Sequence, residues 1–496
     1  MWEVSRNCAG KDLRWLLYAK GGSFRKWYGN LEHLVDWSNK ARQHYRKSVS
    51  ARIIDQKFWY QEGITWTDIT SIGTGFRYLP QNTTFDMAGP TAFFSKQQSI
   101  GKFLCLLNST FTSMILPVLN PTFHAQLRDV KNIPKPNNFS ELIELDDIAK
   151  KNISLSRNDW DSFEISWDFE SLPLLSLNHR RDTLSNTYAA LRYHWQEMTD
   201  KMQQLEEENN CIFIETYGLQ NELTPEVPLS EITLTCNPHY RYGGKRSEKQ
   251  LEALLLADTM REFISYAVGC MFGRYSPDKP GLILANQGQT AADYLAQIPN
   301  PAFPPDADNV IPILDEGWFT DDIAERFKAF LRLTFGGDHY EENLAFLEDA
   351  IGKDIRAYFL RDFYKDHLKT YKKRPIYWLF SSPGGNFNAL ISMHRYRPDT
   401  LSVILNNYLR QYRVKLTAHR VHLEQVSINP AAPQRDITQA LKAIDQTNKT
   451  LAELKEYEDE ILYPLATQRL EIDLDDGVKV NYARFGRALK QVAGLS

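Results

Sequence analysis

The clearest pattern along the chain is a run of apolar residues at alternating spacings. Leu184, Tyr188, Leu191, Trp195, Met198, Met202 and Leu205 follow one another at intervals of 4, 3, 4, 3, 4 and 3, with Leu177 seven residues ahead. A stripe of that period is the seam of a long helix that packs along its length. Packing inside the chain is the expected use, because two further helical stretches, 401–428 and 435–463, are available. The second carries Ile437, Leu441, Ile444, Leu451, Leu454 and Ile461 on one stripe. Asn429-Pro430-Ala431-Ala432-Pro433 separates the two, which predicts an αα-hairpin with arms of about 40 Å at 1.5 Å per residue.

Elsewhere the periodicity is shorter. Residues 63–94 alternate brief β-like runs with Gly and Pro. Residues 97–116 place Ile100, Phe103, Leu104, Leu107, Phe111, Met114 and Ile115 at helical spacing, with Pro117 and Pro121 expected to close the helix. A short helix is expected over 140–151 and irregular chain over 156–175. The tail contains LEIDLDDGVKVNY, whose alternation around Asp476-Gly477 predicts a β-hairpin. The fold class is therefore α+β. An N-terminal α/β module (1–137) is followed by a linker and long heptad helix (138–224). A mainly helical domain (225–400) and a helical hairpin with a short β tail (401–496) complete it.

Composition adds bounds. The chain has 496 residues, 43% hydrophobic and 24% charged, as for an ordinary globular protein of several domains. No apolar run reaches about 18 residues, so no membrane partner is expected. The opening residues lack the apolar centre of a signal peptide, which with the rest predicts a cytoplasmic location. The cysteines, Cys8, Cys105, Cys211, Cys236 and Cys270, form no C-x-x-C pair, a set that suits free thiols in a reducing compartment.

Charge changes the picture more. The whole chain carries −4, but residues 1–136 hold 18 Lys/Arg against 9 Asp/Glu, an excess of nine positive charges that leaves −13 on the remainder. A basic module on an acidic body is the asymmetry expected of a polyanion-binding protein. Its densest segment is Lys20-Gly21-Gly22-Ser23-Phe24-Arg25-Lys26-Trp27-Tyr28-Gly29-Asn30. Lys20, Arg25 and Lys26 are candidates to neutralise phosphates, and Trp27 and Tyr28 to stack or wedge. Arg42, Arg46, Lys47 and Arg52 would extend the positive face, and Arg77 joins the candidates. The other reading is a basic turn whose aromatics belong to the core. A remote cluster, Lys365, Lys369, Lys372, Lys373 and Arg374, is either a phosphate grip or a solvated helix end.

Several segments mimic catalytic motifs. Asn237-Pro238-His239-Tyr240 looks like the N-P-P-Y/F loop that holds a target amine, but it has His in the third position and an acidic helix after it. Asp68–Gly75 offers only a lone G-x-G, and Phe76-Arg77-Tyr78-Leu79-Pro80 continues it as strand where a helix would be needed. Ser381-Ser382-Pro383-Gly384-Gly385 lacks the following Lys-Ser/Thr of a phosphate-binding loop. His419 and His422 stand at i, i+3 without further ligands. Asp159 and Asp161 are paired carboxylates with no lysine nearby. No catalytic and no metal-ligating residue is expected.

The segments GITWTDITSIGTGFRYLPQNTTFDMAGPTAFF (63–94) and LLNSTFTSMILPVLNPTFHAQLRDVKNIPKP (106–136) carry a resemblance. So do NPHYRYGG (237–244), RPIYWLFSSPGGNFNALISMHRY (374–396) and ILYPLATQRLEIDLDDGVKVNY (461–482). Together they are similar to the C-terminal, target-recognition part of PglX-like adenine-specific DNA methyltransferases of BREX phage-defence systems. K-G-G-x-F-R-K-W-Y-G-N opens the recognition region in that family, which favours the DNA reading of 20–30. The resemblance implies methylation of the exocyclic amine of adenine with S-adenosylmethionine as donor. It also implies that this chemistry lies N-terminal to the matching region. The expectation is thus a DNA target-recognition and scaffold part that is inactive alone, with no cofactor of its own. S-adenosylmethionine would bind only with the missing catalytic half. The implied partners are double-stranded DNA, a catalytic half and other BREX proteins. Two alternatives stand beside it: a specificity subunit that recruits a separate catalytic chain, and an interaction scaffold or relic without DNA readout.

Overall fold

A computed structural model describes residues 1–51, 53–95 and 98–495. It is α+β and divides into two compact units. The first comprises Met1, Asn7–Arg181 and Ser185–Asp258; the second comprises Trp2–Arg6, Asp182–Leu184 and Thr259–Ser496. The boundaries expected at 137/138, 224/225 and 400/401 fall inside these units and not between them.

The first unit opens with two small sheets. Strand β1 (Trp15–Ala19) pairs antiparallel with β2 (His33–Asp36), which is followed by helix α1 (Asn39–Lys47). Strands β3 (Gly63–Thr65), β4 (Arg77–Leu79), β5 (Thr83–Phe85) and β6 (Thr91–Ala92) follow. Strand β5 lies parallel to β1 on the side away from β2, and the second sheet has the order β4-β3-β6. A core of Ala19, Tyr28, Leu31, Leu79 and Trp160 joins this region to the helices.

The helix expected over 97–116 is two helices, α2 (Ile100–Leu107) and α3 (Thr110–Leu119), bent by 71°. The cause is local. Asn108 ends α2 and turns its amide to strand-like duty, accepting from Phe76 N (3.0 Å) and donating to Phe76 O (3.0 Å). Ser109 then caps α3 by accepting from Thr112 N (3.3 Å). Pro117 lies in the last turn of α3 and does not stop it; its missing N–H leaves one bond unmade near the end. No single helix among the described residues is long and apolar enough to cross a membrane; this bent pair passes that test only with its two halves counted together.

Helices α4 (Leu127–Lys131), α5 (Glu144–Asp161), α6 (Leu184–Tyr217) and α7 (Pro238–Tyr242) follow, and α8 (Glu248–Met271) leads into the second unit. Helix α5 is longer than the sequence pattern suggested. Helix α6 is the heptad helix. Its seam residues Leu184, Leu191, Trp195, Met198, Met202 and Leu205 are all buried, so the seam is spent within the chain. Leu177 precedes the helix and is 85% exposed.

In the second unit α9 (Ala291–Gln297), α10 (Ile323–Phe335), α11 (Tyr340–Ile351), α12 (Ile355–Tyr358) and α13 (Tyr364–Thr370) accompany a three-stranded antiparallel sheet. The sheet has the order β7 (Ile311–Pro312), β9 (Asn388–Ser392), β8 (Tyr377–Ser381), with every strand residue buried. The Ser381–Gly385 segment is the turn between β8 and β9. Glu453 holds it by accepting from Gly384 N (2.7 Å) and Asn386 Nδ2 (2.5 Å). Beyond α14 (Thr400–Val403), the expected hairpin is present as α15 (Arg410–Ser427) and α16 (Gln434–Tyr457), each extended by a π-helical turn at its base. Buried Glu458 closes that base, accepting from Arg410 Nε (2.7 Å) and pairing with Arg413.

The expected C-terminal β-hairpin is absent. After α17 (Tyr463–Gln468), Asp473 caps a short turn by accepting from Asp475 N (2.9 Å), and Gly477 begins α18 (Gly477–Ala483). Asn481 then donates to Asp473 O (2.6 Å). These bonds turn the alternating run back into a helix.

One acidic group in this unit is strained by its setting. Asp306 is buried, and its carboxyl is pushed up to about 7 by burial and by neighbouring Asp308. Tyr408 donates to Asp321 Oδ2 (2.7 Å), and its hydroxyl oxygen lies 3.2 Å from Asp308 Oδ1.

Candidate nucleic-acid interface

The basic segment Lys20–Asn30 folds as an irregular loop, with positive φ at Gly21, Gly22, Trp27, Gly29 and Asn30. Gly29 must lack a side chain, because a Cβ there would meet Arg25 Nε at 2.7 Å and the Trp160 ring at 2.8 Å. Gly75 is equally constrained, since a Cβ would lie 2.4 Å from the Arg25 carbonyl oxygen.

That winding takes the charged and aromatic side chains inward. Arg25, Lys26, Trp27, Tyr28 and Arg77 are buried, none more than 6% exposed. Arg25 donates through Nη2 to Asp159 Oδ2 (2.7 Å), through Nε to Tyr28 O (2.8 Å) and through Nη1 to Thr235 Oγ1 (2.9 Å), and its guanidinium lies over Trp160. Asp159 also accepts from Thr235 N (2.8 Å) and Cys236 N (2.9 Å). A single buried ion pair thus ties the loop to α5 and to the chain before α7. Lys26 pairs with Glu206 of α6, and Trp27 Nε1 donates to the same carboxylate (2.7 Å). Burial raises the Glu206 carboxyl above its usual range, against the pull of Lys26.

Trp27 further bonds β4 through its backbone, donating to Phe76 O and accepting from Tyr78 N, both 2.8 Å. The Tyr28 phenol is pushed up to about 12, by burial first. Arg77 donates to the carbonyls of Gly75 (3.2 Å) and Arg25 (3.3 Å), and burial with nearby Arg25 lowers it to about 10.

This corrects the expectation that these five side chains present themselves to a ligand. Charges sequestered against internal carboxylates and carbonyls do not meet phosphate as folded; they build the module. Asp159 and Glu206, the partners that make this so, were not legible as such. In the sequence Asp159 reads as half of a carboxylate pair without a lysine, and Glu206 sits in a polar run beside the seam of α6.

The remaining candidates are accessible. Lys20 is exposed directly after β1, and Arg46 and Lys47 are exposed in the last turn of α1. Arg42 is half-buried, its guanidinium over Trp59 at 5.2 Å. Arg52 lies outside the described residues. These groups do not form one patch. Tyr18 pairs with His33 and Trp15 with Asp36, so Lys20 and α1 stand at opposite ends of β1, about 17 Å apart along the strand at 3.3 Å per residue.

In the second unit, Lys365 and Lys369 on α13 and Lys372 and Lys373 just after it are exposed, with Lys365 near Asp362 (3.5 Å) and Arg374 near Glu3 (3.6 Å). Among the described residues no group of three or more His, Cys, Asp or Glu is placed to hold a metal ion.

Neither motif-like segment has the arrangement its motif needs, a free amide for a target amine in one case and a strand–turn–helix in the other. Asn237 is the buried N-cap of α7: it accepts from His239 N (3.1 Å) and donates to Leu229 O (2.7 Å) and Ile232 O (2.9 Å), which leaves its amide committed. Tyr240 is turned to the Phe24 carbonyl. The Gly73–Gly75 turn runs into strand β4 and is backed by the Arg25 main chain, with no helix N-terminus to receive a ligand.

The class described so far is an α+β chain whose basic excess is confined to residues 1–136, with Lys20, Arg46 and Lys47 exposed there. Comparison with known proteins sharpens it. No family model matches the chain. It is 34% identical, over its full length, to the adenine-specific methyltransferase BrxX of Escherichia coli O9:H4 (strain HS), of which it covers 42%. It is 38% identical over 96% of its length to the adenine-specific methyltransferase PglX of Lacticaseibacillus casei (strain Zhang), of which it covers 39%. The chain is therefore homologous throughout to part of these methyltransferases, and spans about two fifths of their length.

Proposed function

We propose that this chain is the C-terminal, DNA-recognising and scaffolding part of a BREX-type adenine-specific methyltransferase. The observation that carries this is the homology along the whole chain to two such enzymes. The charge distribution supports it: the basic excess lies in residues 1–136, and the rest is acidic enough to repel a duplex.

Lys20 at one end of β1 and Arg42, Arg46 and Lys47 at the other are the phosphate contacts. The two ends of β1 lie about 17 Å apart along the strand, less than the ~34 Å of one duplex turn, so a single duplex can meet both. Arg25, Lys26, Trp27, Tyr28 and Arg77 serve by holding the loop, α5 and α6 in register. The donor S-adenosylmethionine belongs to a separate catalytic half, which with other BREX proteins completes the partner set. The site of action is the cytoplasm, where the host DNA is.

Calorimetry with S-adenosylmethionine tests the division of labour. The chain alone binds none, and methyl transfer to adenine appears only when a matching catalytic half is added. Saturable micromolar donor binding by this chain alone would overturn it.

A further inference from the structure

Three loops of the first unit meet in one platform. Asp68 N donates to Ala88 O (3.2 Å), Ala125 N to Asp68 O (2.7 Å), and Thr70 N to Phe123 O (2.9 Å). His124 Nδ1 lies 3.0 Å from Asp68 Oδ2. The Lys20–Ser23 loop adjoins them: Thr67 Oγ1 donates to Gly22 O (3.1 Å), and a Cβ on Gly21 would meet Ala88 O at 2.7 Å.

Four large apolar side chains at the tips of these loops stand in water. Ile69 is 63% exposed, Ile72 80%, Met87 72% and Phe123 69%. Single exposed apolar residues are ordinary, but a group of them on adjoining loop tips marks a contact surface.

The charges around them select the occupant. Lys20, Arg128 and Lys131 are exposed on these loops or on α4, which follows Phe123 directly. The acidic groups nearby are engaged. Asp68 pairs with His124, Asp86 accepts from Ala88 N (2.7 Å) and Gly89 N (3.2 Å), and Asp129 is buried, accepting from Asn120 Nδ2 (2.7 Å). Apolar tips beside exposed Lys20 and Lys131, with Arg128 held by Asp129 (3.4 Å), and beside an exposed glycine backbone fit duplex DNA. Phosphates meet the cations, and an apolar wedge enters between base steps. Chemistry on the exocyclic amine of adenine requires the base to leave the stack, which opens a gap that a side chain can fill.

We infer that Phe123, flanked by the Ile69–Ile72 loop and Met87, is a wedge that enters the base stack of bound DNA and occupies the space left by an unstacked base. This rests on the DNA reading above and adds a position and a role to it.

The test uses the full chain and two short duplexes of the same sequence, one intact and one with a central abasic site, at several salt concentrations. The abasic duplex, its gap already open, should bind about tenfold tighter, because the cost of unstacking is partly spared. Phe123→Ala should abolish that preference while keeping the salt slope and the melting temperature, since the side chain is outside the core. Phe123→Trp should retain it, and Ile72→Ser should weaken it. Absence of salt-dependent binding to either duplex would sink the DNA reading and the wedge together. Salt-dependent binding without abasic preference, or a preference that survives Phe123→Ala, would overturn the wedge alone and assign the apolar tips to a protein surface.

Discussion

At the scale of single residues, the Arg25–Asp159 pair is a buried joint between the Lys20–Asn30 loop and α5. Its two side chains are 3% and 0% exposed, and it joins positions 134 apart in the chain. Removing one partner of a buried pair leaves the other charge without compensation, at a cost of about 3–5 kcal/mol. Arg25→Ala should therefore lower the denaturant midpoint of the first unit strongly, whereas Arg46→Ala, on the surface, should leave it within experimental error. Equal melts for the two variants would mean that the pair is not formed.

Asp306 gives a pH signature at the same scale. Its carboxyl sits at about 7 in the fold, above the ~3.9 of an unfolded chain. Below about pH 4 it is protonated in both states and costs nothing. Between there and about 7 the unfolded chain ionises first, so stability falls as pH rises, and the full penalty is present above 7. Asp306→Asn keeps an acceptor for Val310 N, so it should raise the melting temperature at pH 8 and leave it unchanged near pH 4. A variant less stable than the parent at pH 8 would show that the carboxylate is favoured there.

At the scale of elements, the long helix was legible because a period of 3.5 cannot be mistaken for another structure, and its seam is buried. Leu191, 1% exposed on that seam, should cost about 2–5 kcal/mol on replacement by Ala. A denaturant melt that does not move would mean the seam packs on nothing. The α15–α16 hairpin was legible for the same reason, with prolines marking its turn.

The misses have a common origin. Composition named the residue types in Lys20–Asn30 but not Asp159 or Glu206, which lie far along the chain and convert a basic surface loop into a buried joint. The tail alternates as a strand does, yet Asp473 and Asn481 supply the side-chain bonds that favour a turn and a helix. In the same way, Asn108 and Ser109 split a continuous helical stripe into α2 and α3. Short polar side chains that bond the backbone decide such boundaries, and a hydrophobic pattern does not register them.

At the scale of the whole molecule, charge is divided between a basic N-terminal part and an acidic remainder, and DNA affinity should reside in the former. What the structure changes is which cations are available: Lys20, Arg42, Arg46 and Lys47 face solvent to differing degrees, and Arg25 and Lys26 do not. Phosphate contacts make affinity fall with salt, each neutralised phosphate contributing about −0.9 to the log–log slope. The most direct measurement is a set of binding isotherms for the full chain on duplex DNA across a salt series, with the parent protein and with Arg46→Ala/Lys47→Ala. The parent should show a steep linear dependence, and the double variant a slope shallower by up to about two units with an unchanged melting temperature. Identical affinity and slope for the two proteins would contradict this account and move the DNA surface to the Lys365–Arg374 cluster.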